Sequence, residues 1–369
     1  MGSAARWLAV FCCVGVIALA QTPAGFRSTQ VHPDKRVTFR FSAPQAAKVE
    51  LVLEDRAAGL PMQKSGDGIW SVTTGPLAPE IYGYRFSVDG QATVRDPQNP
   101  VKRYGNSLLV ILGDPPRPWE RTQASRGTVT HHTYITKTVV GLPENRSEFV
   151  VYTPPGYDPK ARPYPVLYLL HVWGDEPGSW VEFGQEDVIL DNLIAQRKAR
   201  PMVVVMPLGY GDMSFSKDYG MWNDQAAVAG NLDLFSKALL TEVVPQVEQM
   251  YNVRLDPAGR AILGASMGGL ESLTIGLLHP ETFGWVGGES SALQHQDFAV
   301  LLAGFNPKAP GPRLVWMVCG KDDELAGHNR RLAAWLKAKG QPVDFEERDG
   351  THSYIVWREG LVRFAQRIF

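Results

Sequence analysis

The sequence predicts an α/β domain preceded by a small all-β domain, because two regions of the chain follow different patterns. Residues 31–112 consist of short runs that alternate apolar and polar residues between turn residues, as in antiparallel strands. After about residue 131, apolar runs of strand length alternate with stretches of helical periodicity, which indicates a sheet with helices on both faces. The chain has 369 residues and is 44% hydrophobic, which is enough for two domains with cores of their own.

The first region predicts an immunoglobulin-like β-sandwich. Its alternating runs lie at residues 37–41, 49–53, 70–72 and 82–88. Asp89-Gly90 follows the last run and is a strong hairpin-turn signal. We expect this domain at residues 21–114, followed by a linker at residues 115–130 that is rich in proline and polar residues.

The second region, expected at residues 131–369, predicts a mostly parallel sheet. Apolar runs typical of buried strands lie at residues 149–152, 166–170, 202–206, 261–263 and 315–318. Helical periodicity covers residues 187–199 and 232–250. This order of elements is that of a doubly wound α/β fold.

Gly264-Ala265-Ser266-Met267-Gly268 fits the Gly-x-Ser-x-Gly nucleophile elbow. A predicted strand precedes it and a predicted helix follows it, which is the context that this motif requires. Such a turn exposes the serine hydroxyl, and the N-terminus of the helix favours a developing negative charge. The motif therefore predicts an α/β-hydrolase with Ser266 as nucleophile, and a glycine-rich structural turn is the alternative.

The partners of such a serine follow it in the order acid, then histidine. Four histidines come after Ser266. His279 ends a predicted helix, His295 comes too early in the chain, and His328 lies within a predicted helix. His352 follows a predicted strand and turn, where a general base can reach the serine, and it is the predicted base.

The orienting acid is expected in the segment at residues 319–325, where position alone leaves both Asp322 and Asp323 open. An oxyanion would need two backbone N–H donors. One is expected from Met267, the residue after the nucleophile, and the other from the loop at residues 171–180, which follows an early strand.

That loop, His171 to Trp180, resembles the His-Gly-x-Gly-Asp-x-x-x-x-Trp segment of carbohydrate esterase family one and its esterase-D-like relatives. Further resemblance lies at residues 151–157, 164–171, 191–195 and 201–207. It implies that Trp173 gives the second N–H and, from the spacing Gly320-x-x-Asp323-x-Leu325, that Asp323 is the acid. Val172 stands where these relatives carry glycine, and a β-branched residue resists positive φ angles.

The first region resembles a glycogen-binding type of carbohydrate-binding module. The shared features are Trp70 after Asp67-Gly68, the Tyr-x-Tyr-x-Phe-x-Val-Asp-Gly run at residues 82–90, and Asp96-Pro97-Gln98-Asn99. This resemblance implies a domain that contacts glycans, although Trp70 and Tyr84 suit a sandwich core equally well. The whole layout resembles bacterial feruloyl esterases with an N-terminal carbohydrate-binding-like domain.

The resemblance implies a serine carboxylic ester hydrolase that cleaves feruloyl or acetyl esters of plant-wall polysaccharide through an acyl-enzyme. Val172, Tyr210 and Trp222 are the expected substrate contacts. One alternative is an enterochelin-like siderophore esterase. Another is a carbohydrate-binding scaffold without catalytic activity.

The formal net charge of -1 and the pI near 6.7 give no reason to expect a nucleic acid partner.

The first 20 residues have the form of a signal peptide, with Arg6, an apolar run at residues 7–20 and the small residues of Ala18-Leu19-Ala20. We therefore expect export to the periplasm or medium and a mature form without a membrane segment. Cleavage near Ala20 would leave Cys319 as the single, buried cysteine. The histidines show no metal-ligand spacing, and no cofactor is expected.

Overall fold

The computed structural model describes residues 26–56, 58–90, 93–103, 106–294 and 296–369. The expected signal peptide and His295 lie outside the described residues. The chain forms two compact units, of which one contains the described residues up to Val52 together with Gly59–Leu77 and Tyr84–Ser107. The other contains Leu53–Ala58, Ala78–Gly83 and Leu108–Phe369. Within the described part of the chain, no helix is long and apolar enough to cross a membrane.

The N-terminal region consists of strands, as predicted. In chain order, β1 to β10 are Thr29–Val31, Val37–Ser42, Val49–Leu53, Leu60–Pro61, Gln63–Lys64, Ile69–Thr73, Glu80–Val88, Thr93–Val94, Lys102–Arg103 and Asn106–Ile111. One sheet has the order β1-β2-β6-β5, and the other has the order β4-β3-β7-β10-β9, with β8 paired to β7. Asp89 and Gly90 both have positive φ, as a tight hairpin turn after β7 requires.

The aromatic residues of the glycan-module motif lie in the core of this region. Tyr84 is fully buried, and its hydroxyl donates a hydrogen bond to Asp96 at 2.6 Å. Asn99 Nδ2 donates to the same hydroxyl at 3.1 Å. Trp70 is also buried, and its indole N–H donates to the Ala43 carbonyl at 2.9 Å. These motif residues therefore stabilise the β-fold and offer no exposed aromatic surface for a sugar.

The C-terminal region has a sheet of eight strands in the order β11-β12-β14-β13-β15-β16-β17-β18. These strands, β11 to β18 in chain order, are Thr128–Ile135, Arg146–Thr153, Val166–Leu170, Val203–Pro207, Arg260–Ala265, Trp285–Glu289, Leu314–Gly320 and Asp344–Arg348. Strands β11 and β12 pair antiparallel and β12 pairs antiparallel with β14, whereas the remaining pairs are parallel.

Helices α1 to α8 of this region are Ser179–Glu182, Glu186–Ala195, Gln225–Ala238, Val244–Met250, Met267–Leu278, Phe298–Leu301, Ala326–Ala338 and Tyr354–Ala365. A π-helical turn at Leu239–Val243 joins α3 and α4 within the predicted helix at 232–250. Strand β16 was not predicted, because its two glycines weaken its strand propensity.

The central strands are buried on both sides, which explains their continuous apolar runs. Along neighbouring strands β13 and β15, Tyr168 and Ile262 belong to one core cluster. Leu167 and Leu263, one position away in each strand, belong to a second cluster. Because side chains alternate along a strand, two apolar layers enclose the sheet.

The segment expected to be a linker differs from that prediction. Strand β11 begins at Thr128, inside the expected linker. Before it, Trp119 is buried, and Asn192 Nδ2 on helix α2 donates hydrogen bonds to the carbonyls of Pro118 and Glu120, both at 2.8 Å. The proline-rich segment therefore follows a fixed path, because the buried Trp119 side chain and the Asn192 amide hold it in place.

Glu289, the last residue of β16, is fully buried. Neither of its carboxylate oxygens has a hydrogen-bond partner among the described residues, and the carboxyl group packs against Gly360 in α8. Burial raises the pKa of Glu289 well above the usual value, because the protein interior disfavours the charged carboxylate. Glu186 and Glu271 show the same effect of burial on their pKa values.

Replacing Glu289 by glutamine tests this buried acid. A carboxyl group with a raised pKa in the folded state binds more protons there than in the unfolded state, so the free energy of unfolding falls as the pH rises above about 4.3. The Glu289→Gln substitution is expected to reduce this decline by up to about 1.4 kcal/mol per pH unit. Urea denaturation at several pH values between about 5 and 8 measures this pH slope, with the exposed Glu324→Gln as control. An unchanged pH slope in Glu289→Gln would contradict the prediction.

Candidate active site

Ser266 occupies the single-residue turn between strand β15 and helix α5, with φ 53° and ψ -112°. An L residue rarely adopts this conformation, so the surroundings must impose it. The Ser266 N–H donates a hydrogen bond to the Glu289 carbonyl at 2.8 Å, and the Ala292 N–H donates to the Ser266 carbonyl at 2.9 Å. The end of β16 and the loop after it therefore hold the turn in place.

The glycines on either side of Ser266 allow this turn to be tight. A Cβ atom at Gly264 would overlap the carbonyl group of Gly268, and a Cβ atom at Gly268 would lie 2.6 Å from the Leu170 carbonyl oxygen. Helix α5 therefore begins directly against strands β13 and β15. This close approach places the helix N-terminus beside the Ser266 hydroxyl.

The structure brings Ser266, His352 and Asp323 together. Ser266 Oγ lies 2.9 Å from His352 Nε2, and His352 Nδ1 lies 2.9 Å from Asp323 Oδ2. Asp323 follows β17 and His352 follows β18, so both come from the same carboxyl edge of the sheet as the serine turn. The other candidate acid, Asp322, is exposed and forms no part of this chain of hydrogen bonds.

Several donors surround the Asp323 carboxylate, which is almost fully buried. Burial raises its pKa, but the hydrogen bonds and charge of His352, the Leu325 N–H at 2.8 Å and the Ser290 side chain outweigh burial. The pKa of Asp323 is therefore below its usual value, and the group stays ionised at neutral pH. Ser290 was not predicted as a site residue, since no motif marks it. It directly follows the unpredicted strand β16 and has a φ of 44°.

The loop after β13 carries Val172 and Trp173, and both line the same cavity as Ser266. Met267 is the first residue of α5, so its backbone N–H has no acceptor inside the helix. Val172 is not among the non-glycine residues with positive φ in the described part of the chain. The position therefore does not require the backbone freedom of glycine.

Three side chains fix this loop. The buried His171 ring contacts the Val172 carbonyl through Nδ1 at 2.8 Å, and its Nε2 accepts the Gly209 N–H at 2.8 Å. Burial lowers the pKa of His171 to about 4, so the ring is neutral at pH 7 and Nδ1–H is the donor. The Trp173 indole N–H donates to the Phe215 carbonyl at 2.8 Å, and the Tyr210 hydroxyl accepts the Gly174 N–H at 2.7 Å.

A cavity of about 170 Å³ contains the Ser266 hydroxyl. Its lining consists of Val172, Trp173, Tyr219, Trp222, Ser266, Ala292, Gln294, Glu324, Leu325, His352 and Trp357. Of the expected substrate contacts, Val172 and Trp222 line it, whereas the assignment of Tyr210 was wrong. Tyr210 is buried, its hydroxyl accepts the Gly174 N–H, and the residue lines a different cavity.

Cys319 is buried in β17, as predicted, and burial raises the pKa of its thiol to about 12. Such a thiol is not nucleophilic at neutral pH. Across the described ranges, no group of three or more His, Cys, Asp or Glu side chains is arranged to hold a metal ion.

Comparison with known proteins confirms the resemblance drawn from the motifs. The profile of the Esterase family, described as "Putative esterase", matches residues 142–368. The profile of carbohydrate-binding module 48, the isoamylase N-terminal domain, matches residues 25–99.

An endo-1,4-beta-xylanase/feruloyl esterase of Xylanibacter ruminicola is 30% identical over 354 residues, which cover 92% of this chain and 45% of that relative. This chain thus spans less than half the length of the relative. A solved CE1 ferulic acid esterase of Anaeromyces mucronatus is 23% identical with a TM-score of 0.58, over 68% of this chain and 93% of that one. The enterochelin esterase of Shigella flexneri is 21% identical with a TM-score of 0.69, over 92% and 94%.

The two structural similarities establish an α/β-hydrolase fold, in agreement with the sheet order and the serine turn described above. The family profile spans more than half of the chain. This protein therefore belongs to the Esterase family.

Proposed function

We propose that this protein hydrolyses feruloyl and related hydroxycinnamoyl esters of plant-wall polysaccharides, with Ser266, His352 and Asp323 as its catalytic triad. The observation that carries the proposal is an aromatic-lined cavity that contains the hydrogen-bonded serine and histidine. The name of the Xylanibacter ruminicola relative includes feruloyl esterase activity. Export, expected from residues 1–20, is part of the proposal because such polysaccharides lie outside the cell.

In the proposed reaction, Ser266 Oγ attacks the ester carbonyl while its proton passes to His352 Nε2. The backbone N–H groups of Met267 and Trp173 bind the oxyanion of the tetrahedral intermediate. His352 then protonates the leaving alcohol, and the acyl group stays on Ser266. Water, deprotonated by His352, cleaves the acyl-enzyme and releases the acid. Ionised Asp323 orients the imidazole and stabilises its protonated form.

The cavity lining favours an aromatic acyl group over acetyl. Trp173, Tyr219, Trp222 and Trp357 surround the serine. A planar cinnamoyl group can pack edge or face against such rings and remove its own apolar surface from water. An acetyl group is too small to contact most of that aromatic surface.

The siderophore alternative suits the cavity less well. An iron–catecholate complex is negatively charged, and its binding calls for cationic side chains. Among the described residues that line the cavity, none is lysine or arginine, and Glu324 adds a carboxylate. The similarity to the Shigella flexneri enzyme therefore extends to the fold, and the charge around the serine supports a neutral substrate.

The alternative of an inactive carbohydrate-binding scaffold also has less support. An inactive hydrolase has no need for a complete Ser266, His352 and Asp323 chain, yet both of its hydrogen bonds are 2.9 Å long. In the N-terminal region, the motif residues Trp70 and Tyr84 are buried, so glycan binding would need other residues there.

Replacing Ser266 by alanine is expected to lower kcat/KM for methyl ferulate by at least about a thousandfold, because the nucleophile is lost. The assay compares methyl ferulate, p-nitrophenyl acetate and a catecholate siderophore, and circular dichroism checks that the variant is folded. Turnover that persists in Ser266→Ala would refute the assigned nucleophile. A wild-type enzyme that cleaves the siderophore in preference to methyl ferulate would favour the alternative.

The two adjacent aspartates form a matched pair of variants. Asp323→Asn is expected to lower kcat by about 100-fold to 10,000-fold, because an amide neither stabilises the protonated imidazole nor selects the correct tautomer. Asp322→Asn alters an exposed side chain and is expected to keep nearly full activity. Steady-state kinetics on methyl ferulate distinguish them, and an equal loss in both variants would remove Asp323 from the triad.

Ser290→Gly tests the support of Asp323. Glycine accepts the positive φ at this position but removes the hydroxyl, so we expect kcat to fall about tenfold with KM unchanged. Losing this donor raises the pKa of Asp323 and leaves more of its negative charge to stabilise protonated His352, so the acid limit of activity is expected to move to higher pH. Ser291→Ala is the matched control, since the Ser291 hydroxyl has no partner in the described structure. An unshifted pH profile in Ser290→Gly would show that Ser290 serves only the fold.

A further inference from the structure

Three polar atoms of residues that line the active-site cavity have no hydrogen-bond partner among the described residues. They are Gln294 Oε1 and the indole nitrogens Nε1 of Trp222 and Trp357, and all three atoms are buried. The whole Trp222 side chain is 3% exposed and packs against Phe215 with ring centroids 5.0 Å apart. The adjacent wall is apolar, with Val172, Ala292 and Leu325.

The Trp357 ring packs against His352 with ring centroids 5.0 Å apart, so this indole belongs to the surroundings of the proposed base. Buried polar atoms are nearly always paired, so the unpaired acceptor of Gln294 and the unpaired donor of Trp222 in one cavity indicate a ligand with both functions. The indole N–H is only a donor. The glutamine amide presents an acceptor and, after rotation by half a turn, a donor. The complementary ligand is therefore largely apolar but carries a group that both donates and accepts, such as a phenolic hydroxyl.

We infer that Gln294 and Trp222 form the specificity site for a phenolic hydroxyl on the acyl ring of the substrate. This inference rests on the proposed function and deepens it, because it names the residues that would select a hydroxylated ring over an unsubstituted one. Gln294 Oε1 accepts a hydrogen bond from the phenolic O–H, and the Trp222 N–H donates to an oxygen substituent of the ring. A substrate without the hydroxyl leaves Gln294 unpaired in a closed site, which lowers its binding in the transition state.

The Glu324 carboxylate also favours an acyl ring that carries no negative charge. It is the only carboxylate among the described residues that line the cavity, and the lining contains no lysine or arginine. An acyl group with an ionised substituent would meet this carboxylate without a compensating cation. A phenol is polar and uncharged at neutral pH, and so it satisfies Gln294 without that repulsion.

The test compares methyl 4-hydroxycinnamate with methyl cinnamate, which differ only in the hydroxyl group. The wild-type enzyme is expected to prefer the hydroxylated ester by about tenfold in kcat/KM. In Gln294→Leu, this preference is expected to disappear while the rate on methyl cinnamate stays the same or rises. Trp222→Phe, which keeps an aromatic ring but removes the N–H, is expected to reduce the preference in part.

Gln366→Leu is the matched control, because Gln366 is exposed and lines a different cavity. It is expected to keep the wild-type preference. Turnover of p-nitrophenyl acetate, whose acyl group has no ring, reports on folding and on the triad in every variant.

Each outcome has a separate meaning. A wild-type enzyme that hydrolyses neither cinnamate ester would overturn the proposed function together with this site. A wild-type enzyme that hydrolyses both without preference, or a Gln294→Leu variant that keeps the preference, would overturn the inference alone. A third outcome would also overturn the inference. In it, Gln294→Leu lowers kcat/KM equally for both cinnamate esters, and it lowers the rate on a feruloylated sugar more than the rate on methyl ferulate. Gln294 would then bind the alcohol side of the substrate.

Discussion

The strained turn at Ser266 is the constraint on which the rest of the site depends. A strand that becomes a helix across one residue with φ 53° exposes the hydroxyl and directs the first helical N–H groups to the same point. This arrangement requires that helix α5 contact β13 and β15 through glycine. It also requires a hydrogen bond from the Ser266 N–H to the Glu289 carbonyl, because a positive φ at serine is not stable by itself.

One short segment, residues 289–294, connects the parts of the site. The Glu289 carbonyl and the Ala292 N–H hold the backbone of Ser266. Between them, the Ser290 side chain contacts the Asp323 carboxylate, and beyond them Gln294 enters the cavity wall. The segment thus positions the proposed nucleophile, the proposed acid and the acyl pocket at once. A change in its path would alter all three, which couples turnover to substrate choice without any long-range conformational change.

The sequence predicted the parts of the site that depend on local chemistry. Ser266 lies in a motif that defines its own turn, and the order of later residues identified His352. Ser290 and Gln294 were not predicted. They follow β16, whose two glycines weaken its strand signal in the sequence, and their positions in the site are defined only when β16 pairs between β15 and β17. Tyr210 was assigned wrongly for a related reason. An aromatic residue near a motif can face the cavity or support the loop behind it, and only the tertiary fold decides.

Val172 shows how a departure from a family pattern can be accommodated. Its carbonyl accepts a hydrogen bond from the neutral His171 ring, which is itself fixed by the Gly209 N–H. Trp173 is held independently through its indole N–H and the Phe215 carbonyl. With both residues restrained, the loop adopts its shape without glycine, and the Trp173 backbone N–H needs no rearrangement as charge develops on the substrate. Donors that are fixed before the reaction stabilise an oxyanion better than donors that must first be ordered. The side chains around Val172 therefore hold the backbone of the proposed oxyanion site in a fixed position.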